Sequence, residues 1–72
     1  MQLYEYTYKL YYNDYDVEIS KESYIANDKD FMTSILNQPW QGGYLDDGTY
    51  VCYNLNTCNK IEVIKREKVK WK

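Results

Sequence analysis

Between Met1 and Tyr12 the chain alternates, and this alternation restricts the fold more than any other feature. Tyr4, Tyr6, Tyr8, Leu10 and Tyr12 fall on one side of an extended strand, and Leu3, Glu5, Thr7, Lys9 and Tyr11 on the other, because successive strand side chains point to opposite faces. Asn13-Asp14 follows as a two-residue turn, since Asn and Asp tolerate left-handed backbone angles better than other non-glycine residues. Folding back there sets Tyr12 against Tyr15, Leu10 against Val17 and Tyr8 against Ile19 on one side, with Lys9 across from Glu18 on the other. A slip of one residue would carry charge into the core, so the register is specified.

A chain of 72 residues is one domain near the size at which a single core suffices without metal, disulfide or partner. Ten Tyr, two Trp and one Phe supply the burial, each ring removing roughly 150–250 Å² from water. Every tyrosine also carries a hydroxyl that needs a partner. Ten cannot all be interior, and the surplus points to a surface or an interface, where Tyr is enriched.

Ser20 to Ala26 reads as a connector with a short extended piece at Tyr24-Ile25. Asn27 or Asp28 caps a helix of about ten residues whose first turn holds Asp28 and Asp30, where negative charge suits the helix dipole. Phe31 with Ile35, and Met32 with Leu36, recur at spacings of four and give it one apolar face. Pro39 ends it, because the residue before a proline disfavours helix. Beside Trp40, the Gly42-Gly43 pair reads first as a bulge, otherwise as a kink or a place of close backbone approach.

Tyr44 to Val51, Y-L-D-D-G-T-Y-V, is a hairpin reversed at Gly48. Its loop is either Asp47-Gly48 or Asp46-Asp47-Gly48 with a glycine bulge. Thr49 to Leu55 is apolar on both faces and reads as a central strand covered on two sides. Asn54 to Asn59 is a turn, and Lys60 to Ile64 a strand with Ile61 and Val63 on one face. The tail, residues 65–72, is an edge strand rich in lysine or a frayed end. The expected fold is α+β: a small antiparallel sheet of four to five strands in the order ββαβββ, one helix packed on one face, in a single domain over residues 1–72.

The chain contains no histidine, which removes Ser-His and Cys-His nucleophile pairs and the usual imidazole metal ligand. Cys52 and Cys58 alone do not make a zinc site, which usually takes four such ligands. The carboxylate pairs Asp14/Asp16, Asp28/Asp30 and Asp46/Asp47 each sit where turn or cap chemistry accounts for them. No glycine pattern matches a phosphate-binding loop. The expectation is a binding protein rather than an enzyme, with no metal and no cofactor. No apolar run approaches the length of about 18 residues needed to span a membrane, and Met1 to Leu10 lacks the layout of a signal peptide. A cytoplasmic location with reduced cysteines is the expectation.

Charge is unevenly spread. Residues 1–50 carry nine acidic and three basic side chains, a balance of −6, and residues 51–72 two acidic and six basic, a balance of +4. The first binding surface this suggests is acidic and aromatic: Tyr11, Asp14, Asp16 and Glu18 on the first hairpin, with Trp40, Tyr44, Asp46 and Asp47 near the second. Rings flanked by carboxylates give a rigid interface for a basic partner at low entropy cost. The second is the basic end, Lys65, Arg66, Lys68, Lys70 and Trp71, where cations around an aromatic suit a nucleic-acid backbone or a nucleotide.

Lys, Asn, Ile and Tyr together fill 29 of the 72 positions. In size and composition, and in no particular motif, the chain resembles small proteins of phages and mobile elements of AT-rich bacteria. That resemblance implies a stoichiometric inhibitor of a host nuclease or defence complex, as anti-CRISPR proteins are, acting on a host protein in the host cytoplasm. The competing expectations are an oligomer that sequesters a signalling nucleotide and a nucleic-acid-binding accessory protein that uses the basic segment.

Overall fold

The computed structural model describes residues 1–45 and 47–70. In chain order it contains β1 (Tyr4–Tyr11), β2 (Asp16–Ser23), α1 (Asp28–Leu36), β3 (Trp40–Tyr44), β4 (Tyr50–Asn54), a single 3-10 turn at Leu55–Thr57 and β5 (Lys60–Lys68). The strands form one antiparallel sheet in the spatial order β4-β3-β2-β1-β5. One face lies under α1, and the other is open.

The alternation in β1 is realised. Tyr6, Tyr8 and Leu10 have no solvent exposure, and the pairs Leu10↔Val17, Tyr8↔Ile19 and Lys9↔Glu18 form as the apolar pattern requires. The Tyr12 amide donates to the Tyr15 carbonyl at 2.8 Å. Neither Asn13 nor Asp14 has a positive φ, so this turn closes without the left-handed angles expected of it. β2 runs on to Ser23, correcting the connector expected from Ser20. Its Ser-Lys-Glu-Ser stretch shows no apolar alternation, and the ladder to Glu5 and Tyr4 holds it extended.

Helix α1 starts where its cap predicts. The Asn27 side chain accepts the Asp30 amide at 2.9 Å and donates to Asp30 Oδ2 at 2.9 Å, satisfying a backbone donor the helix itself leaves free. Phe31 and Ile35 are fully buried. The Phe31 ring stacks on Tyr6 with centroids 3.7 Å apart and meets Tyr8 edge-on at 5.6 Å. Met32 is only half-buried and Leu36 is 63% exposed, so the second apolar pair lies at the rim of the core.

β5 pairs with β1 on the side away from β2, and its register skips Ile64: Val63 faces Tyr8, whereas Lys65 faces Thr7. This single extra residue reverses the strand's parity. Ile61 and Val63 remain on the helix side, and Lys65 and Glu67 are carried to the open face, where their charges meet water. Arg66 then falls on the helix side. It lies over the Tyr4 ring at 5.4 Å, approaches Asp28 Oδ1 at 3.6 Å and donates to the Ala26 carbonyl, bracing the segment that leads into α1.

β4 is an edge strand paired with β3, which overturns its expected central position. Its outward residues are apolar for a local reason. A Cβ at Gly42 would lie 2.3 Å from the Tyr50 hydroxyl, and one at Gly43 would lie 2.1 Å from Ile19 Cγ2. The glycine pair therefore admits close neighbours on both faces and forms no bulge, since the register from Trp40↔Asn54 to Tyr44↔Tyr50 is unbroken. Tyr50 covers the gap left on the open face, as aromatic side chains do for strand glycines. At the hairpin end Gly48 has φ +89° and donates to the Leu45 carbonyl at 3.0 Å, while the Leu45 amide donates to Thr49 at 2.9 Å. This is the three-residue loop with a left-handed glycine.

Candidate functional site

The helix-free face of the sheet carries most of the acidic and aromatic residues singled out above, and the sheet divides them into three groups. The first lies where β2 and β3 part. Among the described residues, the pair Ser20↔Tyr44 joins these two strands, and toward the hairpin ends they separate around a cavity of about 400 Å³ lined by Asp16, Val17, Glu18, Ser20, Tyr44, Leu45 and Tyr53. Asp16 and Glu18 are exposed, and Tyr44 is 68% exposed. Because β3 runs antiparallel to β2, the chain leaving Tyr44 heads toward the end of the sheet that holds Asp14 and Asp16. Asp47 in that loop accepts the Thr49 amide at 2.9 Å, and this backbone hydrogen bond holds its carboxyl below the usual carboxylate range. Asp46 lies outside the described residues.

Tyr11 belongs to a different group, on the β1–β5 side. Its hydroxyl donates to Glu62 Oε1 at 2.8 Å, and Lys9 and Lys60 sit 5.9 and 5.0 Å from its ring centroid. The bond to Glu62 pushes the Tyr11 hydroxyl pKa up. Trp40 is 61% exposed but stands at the opposite end of β3 from Tyr44. The structure thus brings Asp16, Glu18 and Tyr44 together and leaves Trp40 and Tyr11 apart from them.

The basic segment does not form one groove. Lys65 holds Glu67 at 2.6 Å on the open face, a contact that raises the Lys65 pKa, whereas Arg66 is spent on Asp28, Ala26 and Tyr4 on the helix side. Lys68 ends β5 opposite Tyr4, and Lys70 follows the strand. Trp71 lies outside the described residues.

A further cavity of about 420 Å³, absent from the sequence reading, opens on the same face at the other side of the Ser20↔Tyr44 pair. Its floor is Gly42 and Gly43, its corner is formed by the Tyr44 and Tyr50 rings at 5.0 Å and 69°, and Glu5 and Glu22 stand at its margin. The Gly-Gly pair was the available signal. It was read first as a bulge and otherwise as a kink or close approach, and which ring approached could be read only from the β3–β4 register. On the helix side a groove of about 320 Å³ lies between Met32, Leu36, Leu55, Cys58 and Ile61. Cys58 donates to the Lys60 carbonyl at 3.1 Å, and Cys52 is exposed on β4; both thiols are free.

Among the described residues no three His, Cys, Asp or Glu side chains are grouped so as to hold a metal ion, and no helix is long and apolar enough to cross a membrane. Comparison with protein families, curated proteins and solved structures gives no match.

Proposed function

We propose that this protein is a non-enzymatic binding protein that presents its open sheet face to a basic surface of a partner protein. The observation that carries this reading is the shared cavity of Asp16, Glu18 and Tyr44, beside the acidic turns at Asp14 and Asp47. Carboxylates at a rim steer a cationic partner and set its orientation, while an exposed ring supplies contact area. Phosphate ligands are repelled by the same charges. The engagement of Lys65 and Arg66 within the chain supports the choice of this face over the basic segment. Together with the compositional likeness to phage and mobile-element proteins, the face is read as occupying the nucleic-acid-binding surface of a host nuclease or defence complex in the host cytoplasm, one copy per site.

The test compares the wild-type chain with the variant Asp14→Lys, Asp16→Lys, Asp47→Lys as immobilised bait in lysate of a bacterial host. Nucleic-acid-binding proteins retained by the wild type, lost with the variant and displaced by added DNA are the expected result. The same proteins retained by both baits would overturn the proposal.

A further inference from the structure

The cavity between Glu5, Glu22, Tyr44 and Tyr50 carries an inference more specific than a general attraction to basic proteins, and it rests on the reading of the open face as the binding surface. Glu5 stands directly opposite Glu22 on β2 and directly opposite Glu67 on β5. Three like charges in a row across three strands oppose folding, because carboxylates facing each other on one sheet face repel. Lys65 relieves Glu67 at 2.6 Å. Among the described residues no ion pair reaches Glu5 or Glu22. Lys21, which also borders the cavity, sends its amine to Gln38 Oε1 at 3.2 Å. Two adjacent carboxylates therefore stand without a contact ion pair at the mouth of an aromatic cleft, Lys65 acting on Glu5 only through its field.

The cleft itself is a consequence of Gly42. Any side chain there would collide with the Tyr50 hydroxyl, so the glycine lets the Tyr50 ring lie across β3 and meet Tyr44 edge to face. Both rings remain largely exposed, at 58% and 68%. The cleft thus offers ring surface and two acceptors on neighbouring strands while converging on no metal position among the described residues.

We propose that this cleft is a recognition site for an arginine side chain of the partner protein. A guanidinium stacks on an aromatic face and spreads its donors in a planar fork, so one group can lie against tyrosine and still reach two separate carboxylates. A lysine ammonium is a compact, strongly hydrated charge that gains less from the ring and cannot fork. Anionic ligands are excluded by Glu5 and Glu22.

The test uses two defined probes, a peptide of eight arginines and its eight-lysine counterpart, titrated into the full chain with binding followed by amide and tyrosine NMR shifts. The arginine peptide binds about tenfold more tightly than the lysine peptide and shifts Tyr44, Tyr50, Glu5 and Glu22. The double variant Glu5→Gln, Glu22→Gln melts at a higher temperature, because repulsion is relieved, and loses the arginine preference. Gly42→Ala, which displaces the Tyr50 hydroxyl, loses it as well. The variant Asp14→Lys, Asp16→Lys, Asp47→Lys weakens both peptides and keeps the preference. Equal binding of the two peptides, or arginine binding that leaves Tyr44 and Tyr50 unshifted, would overturn the arginine site. If that equal binding were still lost with the Asp14, Asp16 and Asp47 variant, the broader reading of the face would stand without it.

Discussion

The Tyr8 hydroxyl donates to Gln41 Oε1 at 3.0 Å, and neither residue has any solvent exposure. Gln41 uses its amide nitrogen at the same time on the carbonyls of Ile35 and Gln38, at 3.2 and 2.9 Å. One buried side chain therefore links β1, the end of α1 and β3, with every polar atom satisfied. Replacing it by alanine strands the Tyr8 hydroxyl and removes a donor from two helix-terminal carbonyls. We expect Gln41→Ala to cost about 2–4 kcal/mol, against about 1 kcal/mol for Tyr8→Phe, as read from urea unfolding followed by near-ultraviolet circular dichroism.

Tyr8 also sets an alkaline limit. Burial, reinforced by the neighbouring Tyr50, pushes its pKa from 10.0 up to about 12. The folded chain holds this proton after the unfolded chain has begun to release it, so the contribution of Tyr8 is fully present below pH 10 and is lost as pH rises toward 12. Unfolding free energies measured at intervals from pH 9 to 12 should fall across that window. They should fall less steeply in Tyr8→Phe, even though this variant starts from a lower stability at pH 9.

Gly43 and Ile19 form a fitted pair across the β2–β3 seam, with Ile19 Cγ2 occupying the space of the missing side chain. Gly43→Ala is expected to destabilise by about 1–3 kcal/mol through overpacking. Combining it with Ile19→Ala removes the colliding methyl. The double variant should cost less than the sum of the two single variants, a coupling that a double-mutant cycle measures directly.

Ile64 is the residue that β5 inserts into its pairing with β1. Deleting it closes the irregularity: Lys65 takes the next ladder position opposite Thr7, and Arg66 remains opposite Tyr6. A deletion in the middle of a strand normally inverts every following side chain. Here it is expected to leave the fold intact, with stability changed by no more than about 1 kcal/mol, whereas deletion of Ser20, in the middle of the unbroken β1–β2 ladder, should unfold the sheet. Thermal melts of the two deletions distinguish these outcomes.

What could be read in the sequence was what local pattern alone decides. The register of the first hairpin was legible, because its alternation admits one pairing, while the far end of β2 beyond Ile19, which carries no apolar alternation, was not. Phe31 and Ile35 were legible from their spacing beneath a capped N-terminus. The position of β4 was not, because an apolar strand reads as central wherever its rings go, and Tyr50 turns outward only because Gly42 leaves room for it. The parity change at Ile64 was not legible either, because the four charged residues that follow it, Lys65 to Lys68, carry no apolar side from which to read parity. The candidate face followed the same division. Asp16, Glu18 and Tyr44 were named from the sequence, but Trp40 and Tyr11 were separated from them by strand order, and Glu5 and Glu22 became conspicuous only once the register set them side by side.

The central claim is that a basic protein docks on the helix-free face. Once a partner has been isolated with the wild-type bait, amide shift mapping of the complex tests it most directly. The account predicts shifts concentrated at Asp16, Glu18, Tyr44 and Tyr50, weakening as salt is raised. Shifts confined to Met32, Leu36, Leu55 and Ile61, in the apolar groove on the helix side, would contradict it.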